Sequence, residues 1–86
     1  MAFSKNIWIT GASSGIGEAL AMQWAVPGAT IILSGLEKTQ MEPAAQKCIQ
    51  KGAQVHIIPF NLTKEGEIIE AANRVQTLVP KIDILA

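Results

Sequence analysis

Apolar positions along this chain alternate between two periods. Lys5 to Thr10 is a mostly apolar, β-prone run around Ile7, Trp8 and Ile9, which predicts a strand covered on both faces. From about Ile16 to Val26 the spacing turns helical, with Ile16, Ala19, Leu20, Gln23 and Trp24 on one stripe. Pro27-Gly28 ends that helix, because proline cannot continue the ladder and glycine supplies a left-handed cap. Ala29 to Ser34 is a second β-branched strand closed by Gly35. Met41, Ala44, Ala45, Cys48 and Ile49 define a second helix that stops at Lys51-Gly52. Its start has two readings. Thr39 with Glu42 forms a capping box, but Pro43 would then remove a needed donor. Glu42 as cap with Pro43 in the first helical position fits the steric rule better. Gln54 to Phe60 predicts a third strand, with Pro59 marking an edge or the close of pairing. Thr63 then caps a third helix with an inward stripe of Ile68, Ile69, Ala72, Val75 and Val79, and Ile82 to Ala86 reads as the opening of a fourth strand.

Strand and helix alternate as βαβαβαβ, with links short enough for right-handed parallel crossovers. The expected class is α/β: one half of a doubly wound parallel sheet, strand order 3-2-1-4, with residues 1–86 forming a single half-domain. Such sheets bind ligands beyond the carboxyl ends of their strands, where the strand order reverses beside the first strand.

Composition removes several alternatives. Seven basic and seven acidic residues cancel, so no electrostatic footprint for nucleic acid or an anionic membrane is expected. No apolar run approaches the ~20 residues of a spanning helix, and the first six residues lack the apolar core of a signal peptide. The single cysteine, Cys48, forms no internal disulfide, which points to a cytoplasmic setting. One histidine and one aspartate give a metal cluster or a Ser-His-Asp triad little to use. At 86 residues the core is thin, and a buried strand at the carboxyl end leaves a sheet edge open to self-association.

The chemistry concentrates where the first strand meets the first helix. Thr10-Gly11-Ala12-Ser13-Ser14-Gly15-Ile16-Gly17 places three glycines within seven residues at that junction. The first N–H groups of a helix lack intrahelical partners, and the helix dipole adds positive potential there. A pyrophosphate against that end satisfies the donors. In chain order, Gly11 is expected to make the tight turn, Gly15 to admit the phosphate, and Gly17 to let the helix approach the sheet. The spacing G-x-x-x-G-x-G differs from the common G-x-G-x-x-G, and Glu18 stands where a Walker loop needs lysine.

Thr10 to Gly17 closely resembles the cofactor motif T-G-x-x-x-G-x-G of the short-chain dehydrogenase/reductase family. Ala29 to Ser34 looks like that family's second strand. Asn61-Leu62-Thr63 stands where the family has an Asp-hydrophobic-Thr turn whose carboxylate contacts the adenine amino group; Asn61 departs from the aspartate but can accept through its side-chain carbonyl. Ile82 to Leu85 is similar to the strand that leads into the family's Asn-Asn-Ala-Gly turn. The resemblance implies NAD(P) as cofactor, held by Thr10, Gly11, Ser13, Ser14, Gly15, Ile16, Gly17, Gly35, Leu36, Asn61 and Leu62. It also implies hydride transfer between nicotinamide and an alcohol or carbonyl substrate in a longer parent. Family members prefer NAD when an acid closes the second strand, and NADP when basic residues stand nearby. The corresponding acidic position is Gly35 and the basic ones are Leu36 and Ser14, all uncharged. The missing acid, with Lys38 nearby, tilts the expectation toward NADP. The family's catalytic serine, tyrosine and lysine fall beyond Ala86, and the chain contains no tyrosine, so no catalytic role is assigned here.

Other reactive side chains have plainer readings. Ser13 and Ser14 lack a neighbouring base and serve better as phosphate-facing or capping hydroxyls. His56 is expected as a hydrogen-bonded structural histidine, Cys48 as a small packing residue, and Trp8 and Trp24 as helix–sheet packing. Lys64, Glu67 and Glu70 read as the solvated face of the third helix. A non-catalytic nucleotide-binding or redox-sensing module, or an inactive truncated remnant, stand as alternatives to the oxidoreductase segment.

Overall fold

The computed structural model describes residues 5–12, 15–61 and 63–86. Its elements are β1 (Asn6–Ile9), α1 (Gly15–Trp24), β2 (Thr30–Leu33), α2 (Lys38–Gln50), β3 (Gln54–Ile57), α3 (Glu65–Leu78) and β4 (Ile84–Leu85). All strand pairs are parallel and the sheet runs β3-β2-β1-β4, as the alternation predicts.

Strand register sorts the core into two layers. Ile7 pairs with Ile31, and Ile9 with Leu33, which in turn faces Ile57. Because side chains alternate along a strand, Ile7, Ile9, Ile31 and Leu33 all meet α1 and α2, where they pack on Ala21, Ala25, Met41 and Cys48. The intervening residues Trp8 and Ile32 face α3 and pack on Phe60, Ala71, Val75 and Val79. Small residues line the α1 and α2 contact, so those helices lie close to the sheet.

Several helix details differ from the sequence expectation. α2 begins at Lys38 with Glu37 at its cap, so Pro43 is inside the helix rather than at its first position. Starting a turn early carries Met41 into full burial. Pro43 lies on the exposed side, where water can satisfy the carbonyl that loses its donor. The inner face of α3 is Ile68, Ala71, Val75 and Val79, leaving Ile69 exposed. On α1 the buried residues are Gly17 and Ala21, while Ile16 points to solvent; on α2 Ile49 is likewise exposed. Gly28 and Gly52 both have positive φ, at 92° and 98°, as their capping roles require. β3 stops pairing before Pro59 and is an edge strand. Cys48 and the two tryptophans pack as expected. His56 is only half-buried, and its ring makes no hydrogen bond among the described residues. No helix among those residues is long and apolar enough to cross a membrane.

Candidate functional site

The turn after β1 is shaped by glycines. Gly11 has φ +67°, a conformation side chains disfavour. Ala12 donates its N–H to the Ser34 carbonyl at 2.9 Å, tying the turn to the end of β2. At Gly17 a Cβ would stand 2.6 Å from the Gly11 carbonyl oxygen and 2.8 Å from the Ala12 Cα. The close approach thus joins helix α1 to its own preceding turn, rather than to the sheet as the sequence suggested. Gly15 is different: a Cβ there would meet nothing within 4 Å. It borders open space at the helix start, where the first amide groups and the dipole favour an anion. Glu18, in the same first turn, is drawn toward α2 by Lys47, 2.7 Å away. That bond, then the carboxylate's charge, raises the Lys47 pKa above its ordinary 10.5. Pairing the carboxylate reduces its repulsion of an anion at this end.

Beside the turn, the carboxyl ends of β1, β2 and β3 enclose a cavity of about 260 Å³. Thr10 and Gly11 line it after β1, and Ser34, Gly35 and Leu36 line it after β2. Phe60 and Asn61, following β3, close it. Thr10 is held by donating from both its N–H and its Oγ1 to the Ala86 carbonyl, at 2.8 and 3.0 Å. The Gly35 carbonyl accepts from the Phe60 N–H at 3.0 Å, which keeps the ends of β2 and β3 together. Ser34 is fully buried and its Oγ accepts from Trp8 Nε1 at 2.8 Å, while Trp8 also packs on the Phe60 ring at 6.4 Å between centroids. Leu36 is 62 % exposed, an apolar group presented at the cavity mouth.

Asn61 is fixed by its neighbours. Its Oδ1 accepts from the Thr63 N–H at 2.9 Å and from Thr63 Oγ1 at 2.7 Å, and its own N–H donates to Glu67 Oε1 at 3.0 Å. Thr63 therefore closes an Asx turn, and the helix cap moves to Lys64. Glu67, expected as a merely solvated residue, anchors the Asn61 backbone; its place in the third position of α3 is the signal that sequence reasoning passed over.

Of the residues assigned from sequence, Thr10, Gly11, Gly35, Leu36 and Asn61 gather around the cavity. Gly15, Ile16 and Gly17 form the first turn of α1, with Ile16 78 % exposed. Ser13, Ser14 and Leu62 lie outside the described residues. Lys38 does not join the set: it lines a separate groove of about 520 Å³ with Glu42, Ile49, His56 and Arg74, on the outer side of β3. Burial pushes the Cys48 thiol pKa up, in keeping with packing rather than reactivity. No cluster able to hold a metal ion occurs among the described residues. The positive dipole end of α1 and the cavity beside it thus set a place suited to an anionic group next to a pocket lined by both polar and apolar side chains.

The sequence and fold match known proteins in this same region. The family model described as short chain dehydrogenase matches residues 5–86. The chain is 38 % identical over 81 residues to 5-keto-D-gluconate 5-reductase of Escherichia coli K12, covering 94 % of this chain and 32 % of that protein. It superposes on NAD+-bound xylitol dehydrogenase with TM-score 0.88 and 30 % identity, over 94 % of this chain and 31 % of that one. The alcohol dehydrogenase of Thermococcus sibiricus, complexed with 5-hydroxy-NADP, gives TM-score 0.88 at 28 % identity, over 96 % and 36 % of the two chains. The chain thus spans about a third of the length of the relatives it matches. With the glycine turn, the sheet order and the family model in agreement, this chain belongs to the short-chain dehydrogenase family.

Proposed function

We propose that residues 1–86 are the amino-terminal dinucleotide-binding half-domain of an NAD(P)-dependent oxidoreductase. The observation that carries this reading is the start of α1, opened at Gly15 and set beside the cavity at the ends of β1 to β3. In this reading the first amides of α1 hold the diphosphate, with Thr10, Ser13 and Ser14 around it. Gly35 and Leu36 border the adenosine ribose, and Asn61 and Leu62 border its base. When bound, the nicotinamide supplies or receives hydride; the residues of this chain bind and orient its carrier. The acid–base group of the parent reaction is not a tyrosine of this chain, which has none.

An alcohol or carbonyl substrate in the parent is supported by the names of the relatives, which include a keto-gluconate reductase and a xylitol dehydrogenase. A preference for NADP is supported by the uncharged Gly35 and Leu36, which leave no carboxylate to repel a 2′-phosphate. A cytoplasmic setting is supported by the lone reduced cysteine. Self-association is supported by β3, an edge strand of the sheet.

The test is titration of the chain with NADPH and NADH, followed by nicotinamide fluorescence, beside Gly15→Val. Wild type should bind, NADPH more tightly, and Gly15→Val should bind at least about tenfold more weakly, as expected for loss of charge-assisted bonds. Equal binding by both proteins would remove the phosphate cradle.

A further inference from the structure

We propose that Trp8 is a positioning residue for the cavity at the ends of β1 to β3, holding the Ser34 hydroxyl and the Phe60 ring in the arrangement that receives a dinucleotide. The proposal rests on the dinucleotide reading above. Ser34 and Phe60 both line that cavity, whereas Trp8 is not part of its lining.

Strand register brings Trp8 to both of them. Trp8 pairs with Ile32 across β1 and β2, and Ser34 follows two residues later, so its side chain leaves the same face of the sheet. An indole is long enough to span that diagonal. Trp8 Nε1 donates to Ser34 Oγ at 2.8 Å, and the Trp8 and Phe60 rings stand 6.4 Å apart between centroids, tilted by 56°. One side chain of β1 thereby joins the segments that follow β2 and β3, on the face packed against α3.

Backbone bonds fix where Ser34 and Phe60 sit, but not how their side chains are turned. The Ser34 N–H donates to the Ile9 carbonyl at 2.8 Å and its carbonyl accepts from the Ala12 N–H, while the Phe60 N–H donates to the Gly35 carbonyl. Ser34 is fully buried, and its hydroxyl has Trp8 as its one partner among the described residues. A buried hydroxyl and an indole N–H in a packed layer each cost stability when unpaired; here each satisfies the other. Without Nε1 the hydroxyl is free to turn among its staggered wells and to take a water from the cavity, which a ligand then has to displace. Trp8 removes that penalty in advance, so it acts by preorganising the site rather than by touching the ligand.

The experiment measures NADPH dissociation constants of the 86-residue chain by nicotinamide fluorescence, well below the thermal midpoint of each protein, for wild type, Trp8→Phe, Ser34→Ala and the double variant. Trp8→Phe keeps an aromatic ring and removes the donor. Each single variant should bind about fivefold more weakly, the value of one ordinary hydrogen bond. The double variant should be no weaker than either, because both substitutions remove the same bond. A role confined to packing would lower the midpoints and leave the dissociation constants alike. A second reading is spectroscopic: ADP, which carries no nicotinamide, should shift the Trp8 indole N–H resonance and leave that of Trp24, whose ring lies under Lys5 at the opposite end of β1. Unchanged affinity in both single variants, additive losses in the double variant, or an unmoved Trp8 resonance would overturn the proposal and leave the dinucleotide reading intact. Failure of wild type to bind NADPH would overturn both.

Discussion

The turns after β1 and β3 face the same end of the sheet, one shaped by side chains it lacks and the other by side chains it bonds. In the first, Gly11 adopts φ +67° and Gly17 lets the helix start press on the turn's own backbone. In the second, Asn61 is held on three sides, by the Thr63 amide, the Thr63 hydroxyl and the Glu67 carboxylate. The glycine turn sets the start of α1, with its dipole, beside the end of β1, which suits an anion. The Asn61 turn uses its side-chain oxygen within the turn and fixes the backbone that lines the cavity after β3. The two turns are consequently built by different means and open to separate disruption.

The largest effect is expected at Gly17. A Cβ 2.6 Å from a carbonyl oxygen and 2.8 Å from a Cα meets backbone, which cannot swing aside as a side chain would. Gly17→Ala should cost at least about 1–3 kcal/mol, and its thermal midpoint should fall by on the order of 10 °C in a domain this small. Gly15→Val, two residues earlier, borders empty space and should keep the midpoint within ~3 °C, because surface changes of this kind usually stay near ±0.5 kcal/mol. Its effect belongs to dinucleotide binding. If both variants melted alike, the separation of packing glycine from binding glycine would fail.

This division also explains what was legible in the sequence. The order of elements follows from apolar periodicity and from Pro-Gly stops, which are local signals; hence the sheet order and the positive φ at Gly28 and Gly52 were foreseeable. The glycine turn was foreseeable because a missing side chain has few uses at a strand–helix junction. The start of α2 was not, since burial of Met41 outweighed the local preference of Pro43 for a helix's first position. The faces of α1 and α3 were misread at Ile16 and Ile69 because an apolar residue beside the buried stripe has the same periodicity within one position. The bond from Asn61 to Glu67 runs from a loop into the first turn of α3, and the acid at the third helical position was its one local sign, overshadowed by the solvated face that Glu67 shares with Lys64 and Glu70.

A middle-sized effect is expected at Glu67. Glu67→Ala removes the acceptor of the Asn61 N–H and should lower stability by about 1 kcal/mol, a figure at the modest end because the carboxylate is part-exposed. Hydrogen exchange of the Asn61 amide gives the sharper reading: its protection should fall in Glu67→Ala and stay in Glu70→Ala, whose side chain lies exposed on the same helix. Unchanged protection in Glu67→Ala would show that the turn holds without its carboxylate, and the contrast between the two turns would narrow to the Thr63 bonds alone.

The smallest effect lies at the far end of the sheet, away from both turns. Asp83 Oδ2 accepts from the Asn6 N–H at 2.7 Å, and Asp83 lies 3.5 Å from Lys81, so its pKa is lowered from 3.8, first by that backbone bond. A carboxyl with a depressed folded value contributes stability above its unfolded pKa and loses it as pH falls through the folded value. The stability advantage of wild type over Asp83→Asn should accordingly be full at neutral pH and shrink steadily below pH 3.8. Dinucleotide affinity should not follow it, because Asn6 begins β1 at the end opposite the glycine turn. Matching acid profiles for wild type and variant would mean that the β1–β4 pairing is held by its ladder alone. An affinity that tracked Asp83 would tie the two ends of the sheet together and undo the independence argued for the turns.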